Sequence, residues 1–589
     1  MSKVHIKIEG HSYFVEEGLT ILEAARQCGY EIPTLCSFNH GECSRGSCRV
    51  CLVEVKGARG LVASCVYPVN EGMEVLINSP KALSARRTSV ELLLSNHSQN
   101  CQQCAKNGKC ELLYVAKQTR VRENMFVGDK TETHYDDLTP AIVRDTSKCV
   151  LCGRCIERCK NAHGNGVLGF QQRGFETVVG PAGGLTLDKS PCIMCGQCVS
   201  VCPTGALMAK TDIDEVDMAF AQGKHVIVQT APAVRAGLGE EFGMPIDTPV
   251  TGKMVAALKR LGFAKVYDTN FAADLTIMEE ATELLGRIKN GGKLPMITSC
   301  SPGWINYAET YYGDLLGHIS SCKSPHEMQG AILKSYYAKE KGIDPKDIFV
   351  VSIMPCTAKK DEKERKQLQH DGIKDVDAVL TVRELGDMIK RAGIRFHLLP
   401  DMEFDQDLMG EYSGAAVIFG VTGGVMEAAL RTAYFVLEGK EHEAIKFEAV
   451  RGFEGIKEAS LTLGGMEVNI AVAGGMKNAK VLMDDIRAGK SKYHFIEIMG
   501  CPGGCINGGG MPIVRTAFLP DEAPDIMDTY RDKRAAALYN EDERNTLRQS
   551  HNNKQIQELY AKFLGEPNSH LAHELLHTSY EAKKPFKLD

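Results

Sequence analysis

Cysteine is the residue type that says most about the chemistry of this 589-residue chain. The chain contains 22 cysteines, and nearly all of them fall into closely spaced groups. A chain of this length does not need disulfides in a reducing compartment, so clustered cysteines indicate metal ligands. Cys28, Cys43 and Cys322 stand outside the groups, and we expect them to be small buried hydrophobic residues.

Two cysteine runs of matching spacing lie between residues 149 and 203. They read Cys149-x2-Cys152-x2-Cys155-x3-Cys159 and Cys192-x2-Cys195-x2-Cys198-x3-Cys202-Pro203. In two-cluster iron–sulfur sequences with this spacing, the fourth cysteine of each run binds the other cluster. One 4Fe–4S cluster is therefore expected on Cys149, Cys152, Cys155 and Cys202, and a second on Cys192, Cys195, Cys198 and Cys159. Structural zinc is the alternative that the repeated spacing disfavours.

The first 80 residues carry another cysteine group behind a strand and helix pattern. Residues 4–10 and 12–17 alternate polar and apolar side chains as a hairpin does, and Thr20 and Glu23 form a capping box at the start of a short helix. Two strands, a helix and a cysteine-rich loop predict a β-grasp ferredoxin-like module with one 2Fe–2S cluster. The expected ligands are Cys36, Cys48, Cys51 and Cys65.

Cys43 is the competing first ligand of this cluster. The spacing Cys43-x4-Cys48-x2-Cys51 matches plant-type ferredoxins. In that arrangement the fourth cysteine normally lies much further along the chain than Cys65 does. The position of Cys65 therefore favours Cys36, and both choices stay open at the level of the sequence.

A histidine followed by three cysteines connects these two regions. The pattern is His97-x3-Cys101-x2-Cys104-x5-Cys110. A histidine just before such a trio is more often a ligand than an ordinary surface residue. Three cysteines and a histidine also suit a structural zinc ion, but the iron–sulfur motifs on both sides favour a 4Fe–4S cluster.

From about residue 223 the cysteines become sparse and an α/β pattern begins. Short apolar runs alternate with helical segments, which predicts parallel sheets covered on both faces. The predicted strands are 225–230, 294–297, 348–353, 415–419, 468–472 and 494–499. Three of these runs end at Cys300, Cys356 or Cys501. Because open α/β sheets bind ligands at the carboxyl ends of their strands, these cysteines predict one shared metal site.

The segments around these cysteines resemble the three signatures of iron–iron hydrogenases. They are residues 298–304 (TSCSPGW), 354–362 (MPCTAKKDE) and 497–512 (EIMGCPGGCINGGGMP). The whole chain resembles the long clostridial-type members, and residues 1–210 also resemble the amino-terminal part of the large iron–sulfur subunit of complex I. The resemblance implies reversible reduction of protons to H2 at an H-cluster. That cofactor is a 4Fe–4S cubane joined to a di-iron unit with CO, cyanide and azadithiolate.

The resemblance also implies roles for individual residues of the site. Cys356 and Cys501 would bind the cubane, and Cys505 would bridge it to the di-iron unit. Lys359 would hold a cyanide ligand by a charge-assisted hydrogen bond. Two soft, apolar side chains would line the metal, namely Met354 and Met499.

A proton relay is implied in the same way. It would run from the 300 region through Glu280, Ser320 and Glu283 to Arg287. Glu280, Glu283 and Arg287 share one face of a helix, where a surface ion-pair stripe is the simpler interpretation. The hydrogenase motifs favour the relay.

The first signature departs from the family pattern. The family usually has two adjacent cysteines before Pro-x-Trp, whereas this chain has Cys300 and Ser301 before Pro302. Counting back from Pro302 assigns the cubane ligand to Ser301 and the proton relay to Cys300. Ligand softness favours the reverse, because a serine oxygen is a harder ligand than a thiolate. The sequence leaves both assignments open.

Composition excludes several function classes. A net charge of −6 argues against a nucleic-acid binder, and no run approaches the roughly 18 apolar residues of a membrane span. The first residues lack the apolar core of a signal peptide, so a cytoplasmic location is expected. No Rossmann glycine fingerprint follows a strand, so no nicotinamide or flavin is expected in this chain. A pure relay subunit and a non-enzymatic relative in iron–sulfur assembly are disfavoured by the three signatures.

Electron partners are expected at the 2Fe–2S module. Arg45, Arg49, Lys56 and Arg59 lie near its ligands in the sequence, and ferredoxins are typically acidic. Direct exchange with ferredoxin or a similar small carrier fits this charge. Membership in an NAD(P)-coupled complex with flavin- or NAD(P)-binding subunits is the alternative that the sequence leaves open.

The chain is thus expected to be a multi-domain α+β and α/β protein. The predicted divisions are a β-grasp 2Fe–2S module (1–80), a His/Cys3 module (81–135), a two-cluster module (136–215), an H-cluster domain (216–522) and a small-subunit-like segment (523–589). We assign no chemistry to the histidines at 570 and 573.

Overall fold

The computed structural model describes residues 2–38, 43–123, 125–440, 448–453, 455–463, 465–515 and 526–587. They form several mixed α/β units around separate sheets. The predicted boundary between residues 522 and 523 lies outside the described residues. Across the described ranges, no helix is both long and apolar enough to cross a bilayer.

The first 80 residues form a five-stranded mixed sheet in the order β2-β1-β5-β3-β4. Its elements are β1 Lys3–Ile8, β2 His11–Glu16, α1 Ile21–Gln27, β3 Leu52–Val55, β4 Val62–Ala63 and β5 Glu74–Leu76. The predicted hairpin is β1 with β2, and the predicted capping box of Thr20 and Glu23 starts α1. Cys36, Cys51 and Cys65 lie in the core of this unit, each about 1% exposed or less.

Residues 80–209 are short elements wrapped around cysteine-rich loops. These elements are α2 Pro80–Ser95, α3 Glu111–Gln118, β6 Tyr135–Asp136, β7 Ile142–Asp145, α4 Arg154–Glu157, β8 Gly169–Gln171, β9 Val178–Gly180, α5 Gln197–Val201 and β10 Leu207–Ala209. Gly153 and Gly196 have φ of 77° and 68° and precede α4 and α5. This left-handed conformation favours glycine and lets each loop curl around a centre.

A four-stranded parallel sheet starts the larger unit, in the order β12-β11-β14-β17. The elements of this part are α6 Ile213–Ala221, β11 His225–Thr230, α7 Thr251–Leu261, β12 Lys265–Asp268, α8 Asn270–Asn290, β13 Met296–Ile297, α9 Pro302–Tyr311, α10 Pro325–Ile332, α11 Ala338–Lys341, β14 Ile348–Met354, α12 Ala358–Glu362, β15 Gln369–His370, β16 Ile373–Lys374, β17 Ala378–Thr381 and α13 Val382–Arg391. Its strands are buried on both faces, as the apolar runs predict.

A second sheet has the order β13-β20-β19-β18. The remaining elements are α14 Gly414–Val417, α15 Gly424–Glu438, β18 Ile456–Leu463, β19 Met466–Gly474, α16 Met476–Arg487, β20 Phe495–Met499, α17 Ile526–Arg544, α18 Lys554–Leu559 and α19 His570–Leu576. The expectation of purely parallel sheets is wrong here, because β18 pairs with β19 in antiparallel fashion. β18 is the edge strand of this sheet, and β19 follows it in the chain after only two residues, a connection too short for parallel strands.

The predicted strand at residues 415–419 is also wrong. Residues Gly414–Val417 form α14, and the hydroxyl of Ser413 accepts a hydrogen bond from the Ala416 amide at its start. The segment is buried on all sides. A short apolar run that is buried all round has no polar alternation to distinguish strand from helix.

The C-terminal helices pack against the two-sheet unit. Arg534 on α17 donates to both carboxylate oxygens of Glu240, at 2.7 and 2.6 Å. Tyr560 after α18 donates to Glu279 on α8. Polar contacts therefore join this segment both to the stretch between β11 and α7 and to α8.

Candidate active site and iron–sulfur relay

A cavity of about 90 Å³ lies where strands of the two sheets end. The loops after β13, β14 and β20 all reach it. The sequence-predicted residues on its wall are Cys300, Ser301, Met354, Cys356, Lys359, Met499, Cys501 and Cys505. Sulfur, apolar groups and one amine thus surround a space that is large enough for more than a water molecule.

Glycines bring the backbones of these loops into contact. A Cβ on Gly508 would lie 2.2 Å from the carbonyl oxygen of Pro355, so no larger residue fits there. Burial raises the pKa of the Cys505 thiol to about 12, and the nearby Cys356 adds to the shift. Such thiols ionise readily only beside a cation, which makes a metal the natural occupant of the cavity.

Cys300 and Ser301 have different neighbours. The Ser301 hydroxyl accepts a hydrogen bond from the Gly500 amide at 3.0 Å, next to Cys501. Burial raises the pKa of the Cys300 thiol, and the next cause is the charge of Glu280. Ser301 therefore lies on the side of Cys501, while Cys300 lies on the side of Glu280.

The sequence-predicted relay residues lie together along α8. The Ser320 hydroxyl donates to Glu283 at 2.9 Å, and Arg287 donates to the same carboxylate at 2.6 Å. Glu280 is only 2% exposed, and burial raises its pKa to about 8. Glu280 is therefore not part of a surface ion-pair stripe. It is a buried carboxyl group between Cys300 and Ser320.

Lys359 is held by a buried network that the sequence interpretation did not include. Its amine donates to Glu362 at 2.7 Å and to the Cys300 carbonyl at 3.2 Å. His326, on α10, contacts the same Glu362 oxygen at 2.7 Å and lines the cavity. Burial alone would raise the pKa of Glu362, but Lys359 and His326 hold it at about 2. Nothing in the local sequence around His326 signals this role, because its partner is 36 residues away.

The two ferredoxin-like runs exchange their fourth cysteines in space. A small cavity is lined by Cys149, Cys152, Cys155 and Cys202. Cys159 instead lies near Cys192 and Cys198, close enough to influence the pKa of both. This is the grouping expected from the spacing.

Four cysteines of the amino-terminal unit form another compact group. Cys36 is within hydrogen-bond reach of Cys48 and Cys65, and Cys51 is within reach of Cys65. Cys43 lies apart from them, with its thiol 4.0 Å from the carbonyl oxygen of Cys152. The structure therefore brings Cys36 into the group, and it brings Cys43 to the neighbouring cluster loop.

His97 and its three cysteines are the group nearest the surface. Cys101 is exposed, and Cys104 and Cys110 are half-buried. His97 is 7% exposed, and its Nδ1 has no hydrogen-bond partner in the described part of the chain. Burial lowers the pKa of His97 to about 4, so its ring is neutral at pH 7. A neutral ring with an unpaired buried nitrogen fits a metal ligand.

The cysteine groups adjoin one another in a continuous series. The Glu111 amide, beside Cys110, donates to the Pro203 carbonyl at 3.0 Å. Gln197, beside Cys198, donates to the Cys501 sulfur at 3.4 Å. The two-cluster module thus touches both the His97 group and the cavity. The sequence offered no sign of Gln197, because a glutamine inside a cysteine run has no distinguishing pattern.

Five family models match successive parts of the chain. They are the 2Fe-2S iron-sulfur cluster binding domain (residues 1–80), the NADH-ubiquinone oxidoreductase-G iron-sulfur binding region (86–124), the 4Fe-4S dicluster domain (148–206), the iron only hydrogenase large subunit, C-terminal domain (224–509), and the iron hydrogenase small subunit (528–583). The catalytic family model covers the whole cavity wall.

Two relatives match this chain over nearly its whole length. The NADP-reducing hydrogenase subunit HndD of Solidesulfovibrio fructosivorans is 48% identical over 98% of this chain and 99% of its own. Iron hydrogenase 1 of Clostridium pasteurianum is 43% identical over 98% of this chain and 99% of its own length. A solved variant of the FeFe hydrogenase HydA1 from Chlamydomonas reinhardtii matches with a TM-score of 0.55 and 43% identity, over 62% of this chain and 98% of that one. The chain belongs to the iron–iron hydrogenase family and carries accessory iron–sulfur domains, so it interconverts dihydrogen with protons and electrons.

Proposed function

We propose that Cys356, Cys501, Cys505 and Ser301 hold an H-cluster in this cavity. The observation that carries the proposal is that the thiols of Cys356, Cys501 and Cys505 line one cavity together with two methionines and Lys359. Soft donors suit iron–sulfur chemistry, and the apolar wall keeps water from the metal. When bound, the cluster supplies the redox-active iron and the base at which dihydrogen is made or split.

The protein's own part is to move protons between this cavity and solvent. Cys300 would exchange a proton with Glu280, whose raised pKa of about 8 lets the carboxyl group both hold and release one near neutral pH. Ser320 would carry the proton to Glu283, to which it donates at 2.9 Å. Arg287, only part-buried, contacts Glu283 at the outer end.

Lys359 would hold the di-iron unit in place. Its ammonium group is directed by Glu362, which is in turn held by His326. A charged donor in a dry cavity makes a strong hydrogen bond to an anionic ligand such as cyanide. His326 and Glu362 would thus act by positioning Lys359.

Four accessory clusters would carry the electrons. The proposed set is a 2Fe–2S cluster on Cys36, Cys48, Cys51 and Cys65, and three 4Fe–4S clusters on the His97 group and the two crossed groups described above. The contact of Gln197 with Cys501 supports transfer into the active site from the second crossed group.

The partner would be ferredoxin, a similar small carrier, or the NAD(P)-binding subunits of a complex. The second option is supported by the relative named as an NADP-reducing hydrogenase subunit. Of the basic residues near the 2Fe–2S group, Arg45 pairs with Glu157 and Lys56 with Glu74. Arg49 and Arg59 have exposed side chains and are therefore the better candidates for contacting an acidic carrier.

Anaerobic maturation followed by iron analysis tests the proposal. With all clusters present the chain should hold about 20 iron atoms and take up H2 with a viologen dye as acceptor. Cys505→Ala should lose the di-iron unit and all activity while the relay clusters remain. Cys28→Ala, a half-buried cysteine outside every group, is the matched control and should behave as the parent. Full activity in Cys505→Ala would contradict the proposed site, and stoichiometric zinc would contradict the cluster on His97.

A further inference from the structure

We propose that Glu283, Cys322 and His577 form a Zn²⁺ site, and that Zn²⁺ bound there blocks proton transfer through Glu283. The blocking effect rests on the relay proposed above, whereas the binding does not. Cys322 and His577 have no part in that relay. They come from the loop before α10 and the end of α19, which meet through a backbone bridge between these two residues.

The donor atoms already lie close to zinc geometry. One ligand atom from each of the three residues lies within 4.8 Å of the other two, and the Cys322 sulfur is 3.8 Å from Glu283 Oε2. Ligand atoms of a tetrahedral zinc ion with sulfur, nitrogen and oxygen donors lie about 3.3–3.8 Å apart. A small inward shift of one side chain completes the set, and water or the Ser321 hydroxyl can take the fourth position.

Glu279 orients the histidine as a metal site requires. Its carboxylate lies 3.1 Å from His577 Nε2 and also accepts from the Asn568 amide at 2.8 Å. The other ring nitrogen, Nδ1, lies 2.8 Å from the Ser321 hydroxyl, which itself contacts Glu283 at 3.2 Å. Nδ1 therefore faces Glu283. A ligating histidine whose second nitrogen is held by a carboxylate is the usual arrangement in protein zinc sites.

Charge also favours a dication at this position. The carboxylates of Glu279 and Glu283 on α8 lie around the site with the carboxyl group of Glu280, and Arg287 is the cation paired with Glu283. On the side of α19, the exposed His573 stacks on His577 with ring centroids 4.4 Å apart, so this face of the site is the one nearest solvent. A cation at Glu283 would occupy the oxygen that accepts from Ser320, so the relay would be interrupted at that step.

The test titrates holoenzyme with ZnCl2 in chelator-free buffer under anaerobic conditions. Zinc analysis after dialysis should find one more zinc per chain than in the Cys322→Ala variant. The zinc-edge X-ray absorption spectrum should contain one sulfur neighbour with nitrogen and oxygen neighbours. Viologen-linked H2 turnover should fall at the same zinc concentration and recover on addition of EDTA.

Matched variants separate this site from adventitious binding. Cys322→Ala and His577→Gln should each raise the zinc concentration for half-inhibition at least tenfold, relative to their own metal-free rates. Cys28→Ala and the exposed His134→Gln should not change it. Equal binding in the Cys322 and His577 variants, or a spectrum without sulfur, would overturn the site.

The two halves of the proposal can fail separately. A sulfur-containing zinc site that leaves turnover unchanged would overturn the blocking effect and, with it, the relay through Glu283. An enzyme that is inactive before zinc is added would instead contradict the proposed active site, while the zinc stoichiometry and spectrum would still decide the metal site.

Discussion

Cys300 and Ser301 are adjacent in the chain but face different chemistry. Ser301 accepts from the amide of Gly500, and Cys300 is close to Glu280 and Lys359. The neighbours of Cys300 support its proposed role as proton donor, and the harder serine oxygen of Ser301 lies on the side of the proposed cubane ligand Cys501. A thiol with a pKa ordinarily near 8.5 transfers protons more readily than a serine hydroxyl does.

Substitutions at these two positions should have opposite effects. Ser301→Cys restores two adjacent thiols and should preserve or increase H2 turnover. Cys300→Ala should lower turnover by about 10²-fold or more, because a positioned proton donor is lost, yet leave the electron paramagnetic resonance signal of the cubane. Loss of that signal in Cys300→Ala would instead make Cys300 the cubane ligand.

Glu280 should impose a pH limit on catalysis. Its pKa of about 8 means that the carboxyl group is protonated below this pH and can supply protons, so H2 production should decline as pH rises through 8. Glu280→Gln should lower turnover by about 10²-fold at all pH values and abolish this decline. Glu340→Gln, on the exposed end of α11, is the control and should keep the parent profile.

The raised pKa of Glu280 also affects the free energy of unfolding. Because the folded pKa lies above the ordinary value near 4.5, the folded state holds one proton more than the unfolded state between these pH values. This group therefore lowers the free energy of unfolding as pH rises through that window. Glu280→Gln should be more stable than the parent at pH 7, measured by denaturant unfolding. An equal or lower stability would contradict the raised pKa.

At the scale of elements, close backbone contact joins the second crossed cluster loop to the cavity loop. A Cβ on Gly509 would lie 2.4 Å from the Cys195 carbonyl oxygen. The Thr357 hydroxyl donates to the Met194 carbonyl across the same contact at 2.7 Å. The close approach at Gly509 and the hydrogen bond from Thr357 together hold the loop before α5 against the loops of the cavity.

Gly509→Ala should therefore weaken electron transfer without removing proton chemistry. The methyl group would push the two loops apart, so H2 uptake that depends on electrons leaving through the relay should fall severalfold. Exchange between H2 and D2O, which needs no external electrons, should be much less affected. Gly60→Ala, where a Cβ meets nothing within 4 Å, is the control. Equal loss in both assays would mean that the substitution damages the cavity itself.

At the scale of the whole molecule, one carboxylate ties three modules together. Glu111, at the start of α3, accepts from Arg154 on α4 at 2.8 Å and from Arg515 after the third signature. Burial alone would raise its pKa, but the two guanidinium groups hold it at about 2. The depressed pKa means that this carboxylate stabilises the assembly above pH 4.5 and ceases to do so as pH falls toward 2.

Glu111→Gln should loosen the junction between modules. It leaves the two buried guanidinium groups with no anionic partner among the described residues. Breaking a buried pair in this way typically costs about 3–5 kcal/mol. Faster amide hydrogen exchange in α3 and α4 at pH 7 is expected, with a smaller difference from the parent near pH 3. Glu74→Gln, which breaks an exposed pair with Lys56, should leave exchange unchanged. Identical exchange in Glu111→Gln would show that the three-module contact does not stabilise the junction.

The sequence alone determined what depends on residue type and regular spacing. The cysteine intervals predicted the crossed grouping of Cys159 and Cys202, because ligands of one cluster must return to a common centre. Apolar runs predicted β11, β13, β14 and β20, and the cysteines after the last three strands predicted one shared site. The hydrogenase family followed from the three signatures, and the comparisons confirm it.

Only the tertiary structure decided what depends on distant partners. The helix at residues 414–417, the antiparallel β18 and the support of Lys359 by His326 all result from packing between remote segments. The meeting of Cys322 and His577, 255 residues apart in the sequence, is of the same kind. A buried polar side chain acquires its partner and its pKa from the folded environment, and no local pattern encodes either of them.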